Sequence, residues 1–190
     1  MGKIFAEITM SLDGFIAGPG ISNQQPMGAN GDKLHEWIFG KATDADKQWM
    51  DELLQTTGAV ITGNHTYTTA IDEAWGGGSP FIVPAFVLCH VVPSKQLAGF
   101  TYITGGIHEA LQQAKGKAGE KNIWIMGGAS IIQQYIKAGL ADELRIHIAP
   151  VLLMRGTRLF DNMGIDPVEL IKESVTATAA AVHTVFRVKK

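Results

Sequence analysis

The sequence predicts an α/β protein: a mostly parallel mixed sheet with helices on its faces and an antiparallel hairpin at its C-terminal edge. Two observations carry this prediction. Short apolar runs alternate with segments of helical periodicity through the middle of the chain, and two extended runs lie close together near its end. No internal repeat, low-complexity tract or linker interrupts the 190 residues, so residues 1–190 read as one domain.

The elements follow in order. Lys3 to Leu12 alternates as a strand, with Ile4, Ala6, Ile8 and Met10 on one face. Asp13-Gly14 marks a turn before the short apolar piece Phe15-Ile16-Ala17. Gly18 to Asp32 is rich in Gly, Pro, Asn, Gln and Ser and reads as a long surface loop, a kind of segment that often serves a ligand site. Thr43 or Asp44 caps a helix running to about Thr57, with Ala45, Trp49, Leu53 and Leu54 on its buried side. Ala59 to Thr62 is a strand ending at Gly63-Asn64, and a short helix follows. Pro80 to Val92 holds one or two strands, and Phe100 to Ile103 another. Ile107, Leu111 and Ala114 form the apolar stripe of the next helix.

Ile123 to Met126 then reads as a buried strand. After Gly127-Gly128, Ile131, Ile132, Tyr135 and Ile136 make a helical face that stops at Gly139. Glu143 to Ala149 is the next strand, and Val168 to Thr176 with Ala181 to Val188 is the closing antiparallel pair.

Composition narrows the function classes. Hydrophobic residues make up 46% and charged residues 18%, the balance of a globular protein. The net charge is −2 and no basic patch stands out, which argues against a nucleic-acid partner. The apolar runs fall well short of a membrane span, and the N-terminus lacks the charged start and apolar core of a signal peptide. A single cysteine, Cys89, rules out an internal disulfide and fits a reducing cytoplasm. None of the six histidines pairs with another ligand at a familiar metal-binding spacing, so no metal is expected.

The most informative segment is Met126-Gly127-Gly128-Ala129-Ser130-Ile131. A strand that turns through Gly-Gly into a helix leaves backbone N–H groups and the positive end of the helix dipole at the turn, where a phosphate can sit. The same residues also serve as an ordinary strand-to-helix turn, and the full G-x-G-x-x-G fingerprint is absent.

Three segments in order, Met10 to Ala17, Val60 to Tyr67, and Gly127 to Pro150, resemble the dihydrofolate reductase-like superfamily. The runs Gly139 to Arg145, Ile148 to Leu153 and Gly156 to Phe160 are most similar to the reductase domain of bifunctional riboflavin-biosynthesis proteins and its stand-alone relatives. The resemblance implies a three-layer α/β/α fold that binds NADPH across the C-terminal ends of the strands. It places the cofactor diphosphate on Met126, Gly127, Gly128, Ala129, Ser130 and Ile131. Gly63, Asn64, His65 and Thr66 then meet the adenosine half, Leu88, Cys89 and His90 flank the adenine, and Ile16 and Ala17 approach the nicotinamide. Relatives of dihydrofolate reductase carry an arginine after the glycine matching Gly63, where it grips the 2′-phosphate. Here that position is Asn64, which leaves NADH open as an alternative cofactor.

The substrate side is less marked. The aspartate matching Asp13 lies by the substrate ribose in riboflavin-type reductases, although Asp-Gly is equally an ordinary turn pair. Glu36, in the region where dihydrofolate reductases carry a pterin-binding carboxylate, is a candidate proton donor or substrate anchor; the other reading is a solvated helix-face carboxylate. Trp37 is a candidate substrate contact. His147, mid-strand and opposite in direction to Ile146 and Ile148, reads either as a polar pocket residue or as a satisfied core histidine. Lys33, Lys41, Arg155 and Arg158 are available to a substrate phosphate.

These readings predict an NADPH-dependent reductase acting on a small heterocyclic or carbonyl substrate, including a ribosylaminopyrimidine phosphate. The alternatives are a non-catalytic nucleotide sensor and a dihydrofolate reductase, the latter disfavoured by its missing carboxylate motif. Dimers are common in the family, and the segment Val175 to Phe186 suits a homodimer interface.

Overall fold

A computed structural model describes residues 2–161, 163–164 and 166–190. Among the described residues there are ten strands and five α-helices. The strands are β1 (Ile4–Ser11), β2 (Phe15–Ala17), β3 (Thr57–Gly63), β4 (Ala85–Leu88), β5 (Phe100–Ile103), β6 (Asn122–Gly127), β7 (Glu143–Ala149), β8 (Thr157–Arg158), β9 (Leu170–Ala177) and β10 (Val182–Val188). The helices are α1 (Glu36–Phe39), α2 (Asp44–Thr56), α3 (Asn64–Ala70), α4 (Ile107–Ala118) and α5 (Ala129–Lys137). A 3-10 turn, Gly31–His35, leads into α1.

Eight strands form one sheet in the order β5-β4-β3-β6-β1-β7-β10-β9. Six run parallel from β5 to β7, and β10 pairs antiparallel with both β7 and β9. The predicted mixed sheet with an antiparallel C-terminal edge is therefore the observed one. β2 and β8 form a separate two-stranded antiparallel ribbon.

Strand alternation sorts the side chains onto the two faces of the sheet, where they form three clusters. Ile4 and Ala6 of β1, Ile123 and Ile125 of β6, and Leu144 and Ile146 of β7 pack with α4 and α5 in the main cluster. The opposite face splits in two. Tyr67 and Ile71 of the α3 region pack on Val87, while Trp37 of α1 packs with Ala180 and Ala181, flanked by Trp49 and Met50 of α2. Strands buried on both faces read as near-continuous apolar runs, and all seven residues of β3 are buried.

Two details differ from the sequence reading. In α2, Leu53 is buried, but Ala45 is exposed and Leu54 is half-exposed. The residue turned inward near the start of the helix is Asp46, because its carboxylate accepts from the Thr43 backbone N–H at 2.7 Å in a capping box. An apolar count cannot anticipate a buried cap. Between Pro80 and Val92 there is one strand, β4, whose neighbour Ile82 is almost wholly exposed.

Candidate functional site

β3 and β6 lie side by side with Thr62 opposite Gly127, and each ends in a helix. α3 leaves β3 toward one face of the sheet, and α5 leaves β6 toward the other. Adjacent parallel strands whose helices depart on opposite faces form a topological switch point, where open α/β sheets bind ligands.

Space between the two turns is tight. A methyl group on Gly63 would lie 2.8 Å from Ile131 Cγ1, and one on Gly128 would lie 3.4 Å from Thr66 Oγ1. The Thr62 hydroxyl donates to the Gly127 carbonyl at 3.1 Å, which fixes one turn to the other. Gly128 is the N-cap of α5 and offers no side-chain cap, so the first amides of that helix lack an acceptor from a capping side chain. Asn64 Oδ1 is buried without a hydrogen-bond partner. An uncapped helix start beside an orphaned amide oxygen fits a polar ligand better than a closed core does.

Strand register sets some of the predicted cofactor residues side by side at these strand ends. Leu88 ends β4 opposite Gly63, and Cys89 follows it. Burial raises the Cys89 thiol pKa, and its Sγ lies 3.6 Å from the Ile103 carbonyl, so it is a packed thiol and no nucleophile. His65, His90 and Ser130 are exposed, Thr66, Met126 and Gly128 are half-buried, and Ala129 and Ile131 are buried. Ile16 and Ala17 are buried in β2, with Ile16 in the main core.

Asp13 closes the β1–β2 turn and is held from three sides. Its carboxylate accepts from the Ser11 hydroxyl at 2.5 Å and from the backbone N–H groups of Leu153 and Met154 at 3.1 and 2.8 Å. The Ser11 hydrogen bond, helped by those amides, holds its pKa below the ordinary carboxylate value. Arg158 donates to the Asp13 carbonyl at 3.0 Å and stacks on the Phe15 ring at 4.3 Å. Asp13 thus fastens residues 153–158 against the first turn. Sequence reasoning missed this anchoring role of Ser11 and Arg158. No local pattern signals it, because residues 11–15 and 157–158 meet only through the β2–β8 pairing.

The remaining substrate candidates do not converge on one open surface. Glu36 is about half exposed and ion-paired with Lys41, as a solvated helix carboxylate would be. Trp37 and His147 do meet, with ring centroids 4.5 Å apart, but each is 2% exposed. The expectation of a cleft-facing His147 gives way to that of a satisfied core histidine, because α1 and α2 close over this face. The sequence reading also missed Glu7, Asp46 and His183, which hydrogen-bond around it. A glutamate within the apolar alternation of β1 was the available signal.

Comparison with known proteins now decides the family. Residues 2–184 match the RibD C-terminal domain profile. The chain belongs to the RibD C-terminal domain family. It is 44% identical over 172 residues to the uncharacterized protein YyaP of Bacillus subtilis (strain 168), covering 83% of this chain and 80% of YyaP. It is also 28% identical over 169 residues to YwjB of the same organism, covering 85% and 84%.

Two solved structures share the fold over nearly their whole lengths. A protein of Shewanella sp. PV-4 assigned to riboflavin biosynthesis superposes with a TM-score of 0.77 at 20% identity, covering 99% of each chain. A pyrimidine reductase-like protein of Corynebacterium diphtheriae gives 0.68 at 14% identity, covering 100% of this chain and 92% of that one. Acinetobacter baumannii RibD gives 0.66 at 16% identity, and this chain corresponds to 59% of it. The dihydrofolate reductase-like resemblance read from the sequence agrees with this riboflavin-type, reductase-like family.

Proposed function

We propose that this protein is a nicotinamide-nucleotide-dependent reductase, with NADPH as its preferred cofactor and a small heterocyclic or carbonyl compound as substrate. The observation that carries the reading is the pair of glycine turns, Gly63 and Gly127-Gly128, on adjacent strands, each opening a helix whose start has no side-chain cap. The amides of Ala129 and Ser130 would hold the diphosphate, and Asn64, His65 and Thr66 the adenosine half. Leu88, Cys89 and His90 would border the adenine, and Ile16 with Ala17 the nicotinamide. When bound, the reduced nicotinamide supplies a hydride. The chain's own contribution is positioning: Asp13 and Arg158 hold the 153–158 segment in place, where the Asp13 carboxylate can also accept a substrate hydroxyl.

Within that class, reduction of a ribosylaminopyrimidine phosphate is the specific activity we favour, on the strength of the riboflavin-type relatives. A homodimer through β9 accompanies the proposal. β9 is exposed along all eight residues and presents Leu170, Ile171 and Val175 at 40%, 40% and 54% exposure on an unpaired edge. The single cysteine is consistent with a cytoplasmic setting.

Thermal shift with NADPH and with NADH tests the cofactor half, because ligand at a hundred times its dissociation constant adds about 2.7 kcal/mol of stability. No shift with either would overturn the proposal. Binding without oxidation of NADPH across ribosylpyrimidines, pterins and small carbonyls would favour a nucleotide sensor.

A further inference from the structure

We propose that Glu7, His147, His183 and Asp46 form a buried, proton-holding clasp, in which the two histidines share one imidazolium that fastens α2 and β10 to the central sheet. The four groups come from β1, β7, β10 and α2 and are 4%, 2%, 1% and 0% exposed. They stand in file. Glu7 Oε1 lies 3.1 Å from His147 Nε2, His147 Nδ1 lies 2.7 Å from His183 Nδ1, and His183 Nε2 lies 2.7 Å from Asp46 Oδ1.

Each of these three hydrogen bonds requires one proton between its heavy atoms. Ionised carboxylates only accept, so each Nε2 must donate outward. The two Nδ1 atoms are then left facing each other, and one of them must also carry a proton. Four ring nitrogens therefore hold three protons, one more than two neutral imidazoles hold. Moving a proton onto a carboxylate would keep three protons in the file but leave only two on the ring nitrogens, so the shared imidazolium requires both carboxylates to be ionised. Removing one leaves two lone pairs facing across a buried short contact.

The surroundings balance that charge. From β7, Arg145 Nη1 lies 3.6 Å from Glu7 Oε2 and its Nη2 lies 2.9 Å from Glu143, which also meets Lys3. With one shared imidazolium, the three carboxylates Glu7, Asp46 and Glu143 are matched by Arg145, Lys3 and the histidine pair. From the 3-10 turn, His35 is kept neutral by burial. On α2 and the hairpin turn, Thr43 and Thr178 donate to Asp46 at 2.7 and 2.9 Å. On α1, Glu36 pairs outward with Lys41, and on α2, Asp44 pairs with Lys47 at the surface. On β10, Arg187 turns to Glu173.

Two indoles are placed to favour positive charge on the pair. Trp49 stacks on His183 at 5.2 Å and 16°, and Trp37 tilts over His147 at 4.5 Å. An aromatic face within about 6 Å of a cation is attractive. Trp49 also donates to Glu7 at 3.2 Å and Trp37 to Thr9 at 3.1 Å, which locks both rings in place. Burial and the facing His147 weigh against charge on His183, while the Asp46 hydrogen bond and the Asp46 and Glu7 charges favour it; a second proton on the pair would set two N–H groups against each other across the 2.7 Å contact.

The closed clasp thus binds one proton more than the opened chain does above the ordinary histidine pKa of about 6.5. The shared proton's contribution is fully present near that value and is lost as pH rises through the pair's own apparent pKa, while refusal of a second proton weakens the clasp on the acid side. Histidine-selective nitrogen NMR on the wild-type protein counts the protons: at neutral pH, three of the four buried ring nitrogens should be protonated. Two bare Nδ1 atoms would overturn the proposal.

Amide exchange, corrected for its intrinsic pH dependence, reads the fastening. Protection in α2 and β10 should fall by about tenfold per pH unit above about pH 6.5 until the clasp's own pKa is passed. The His147→Leu/His183→Leu variant should lose that dependence. A flat wild-type profile would count against the clasp, and the proton count decides the matter if the double variant does not fold. Neither measurement depends on the reductase reading.

Discussion

Thr62 and Gly127 join the two strand ends that carry the candidate cofactor turns: the Thr62 hydroxyl donates to the Gly127 carbonyl at 3.1 Å across the β3–β6 pair. This bond makes the α3 and α5 starts one unit instead of two separate turns. A change in either turn is therefore expected to register in ligand binding before it registers in the fold.

Gly128→Val is the direct test of the diphosphate position. A side chain there would meet Thr66 Oγ1 at 3.4 Å and fill the space in front of the α5 amides. The variant should stay folded and lose the thermal shift given by NADPH. A wild-type shift in the folded variant would place the diphosphate elsewhere.

Asn64→Arg should raise the preference for NADPH over NADH. A charge-assisted hydrogen bond contributes about 1.5–3 kcal/mol, so the ratio of dissociation constants should change by roughly tenfold or more. An unchanged ratio would show that residue 64 does not face the 2′-phosphate.

Asp13→Ala removes the acceptor for the Leu153 and Met154 amides. Exchange at both amides should accelerate, the melting temperature should drop, and Asp13→Asn should restore part of the loss by keeping one oxygen. Equal exchange in wild type and Asp13→Ala would mean that the turn holds without the carboxylate.

Stability should decline on the acid side because of His35, whose pKa is pushed down to about 4 by burial. The unfolded chain takes up the proton near pH 6.5 and the folded chain resists it, so stability falls as pH drops from about 6.5 toward about 4. His35→Leu should flatten that limb in thermal melts. Part of the slope should remain, because the His147–His183 pair resists a second proton across its 2.7 Å contact. Superimposable pH profiles for wild type and variant would dismiss His35 as the source.

Trp37 seals the face formed by α1 and α2, with 2% exposure and a hydrogen bond to Thr9. Trp37→Ala should cost about 3–5 kcal/mol, read by denaturant unfolding, and Trp37→Phe markedly less because most of the ring volume remains. A loss below about 1 kcal/mol for the alanine variant would mean that this face tolerates a cavity by collapsing.

Local pattern by itself determined the strands of the main sheet, the longer helices, the C-terminal hairpin and the Gly-Gly turn, because side-chain period and glycine placement act within a few residues. It also placed His147 on the face of β7 opposite Ile146 and Ile148. Only the tertiary structure decided what that face meets. β1 and β7 are neighbours in register, with Thr9 opposite His147, and β10 sets His183 against the same residue. Glu7, Asp46 and His183 lie far from residue 147 in sequence, so no spacing rule could assemble them. Their contact arises from strand order and from a helix cap turned inward, both set by the packing of the whole sheet.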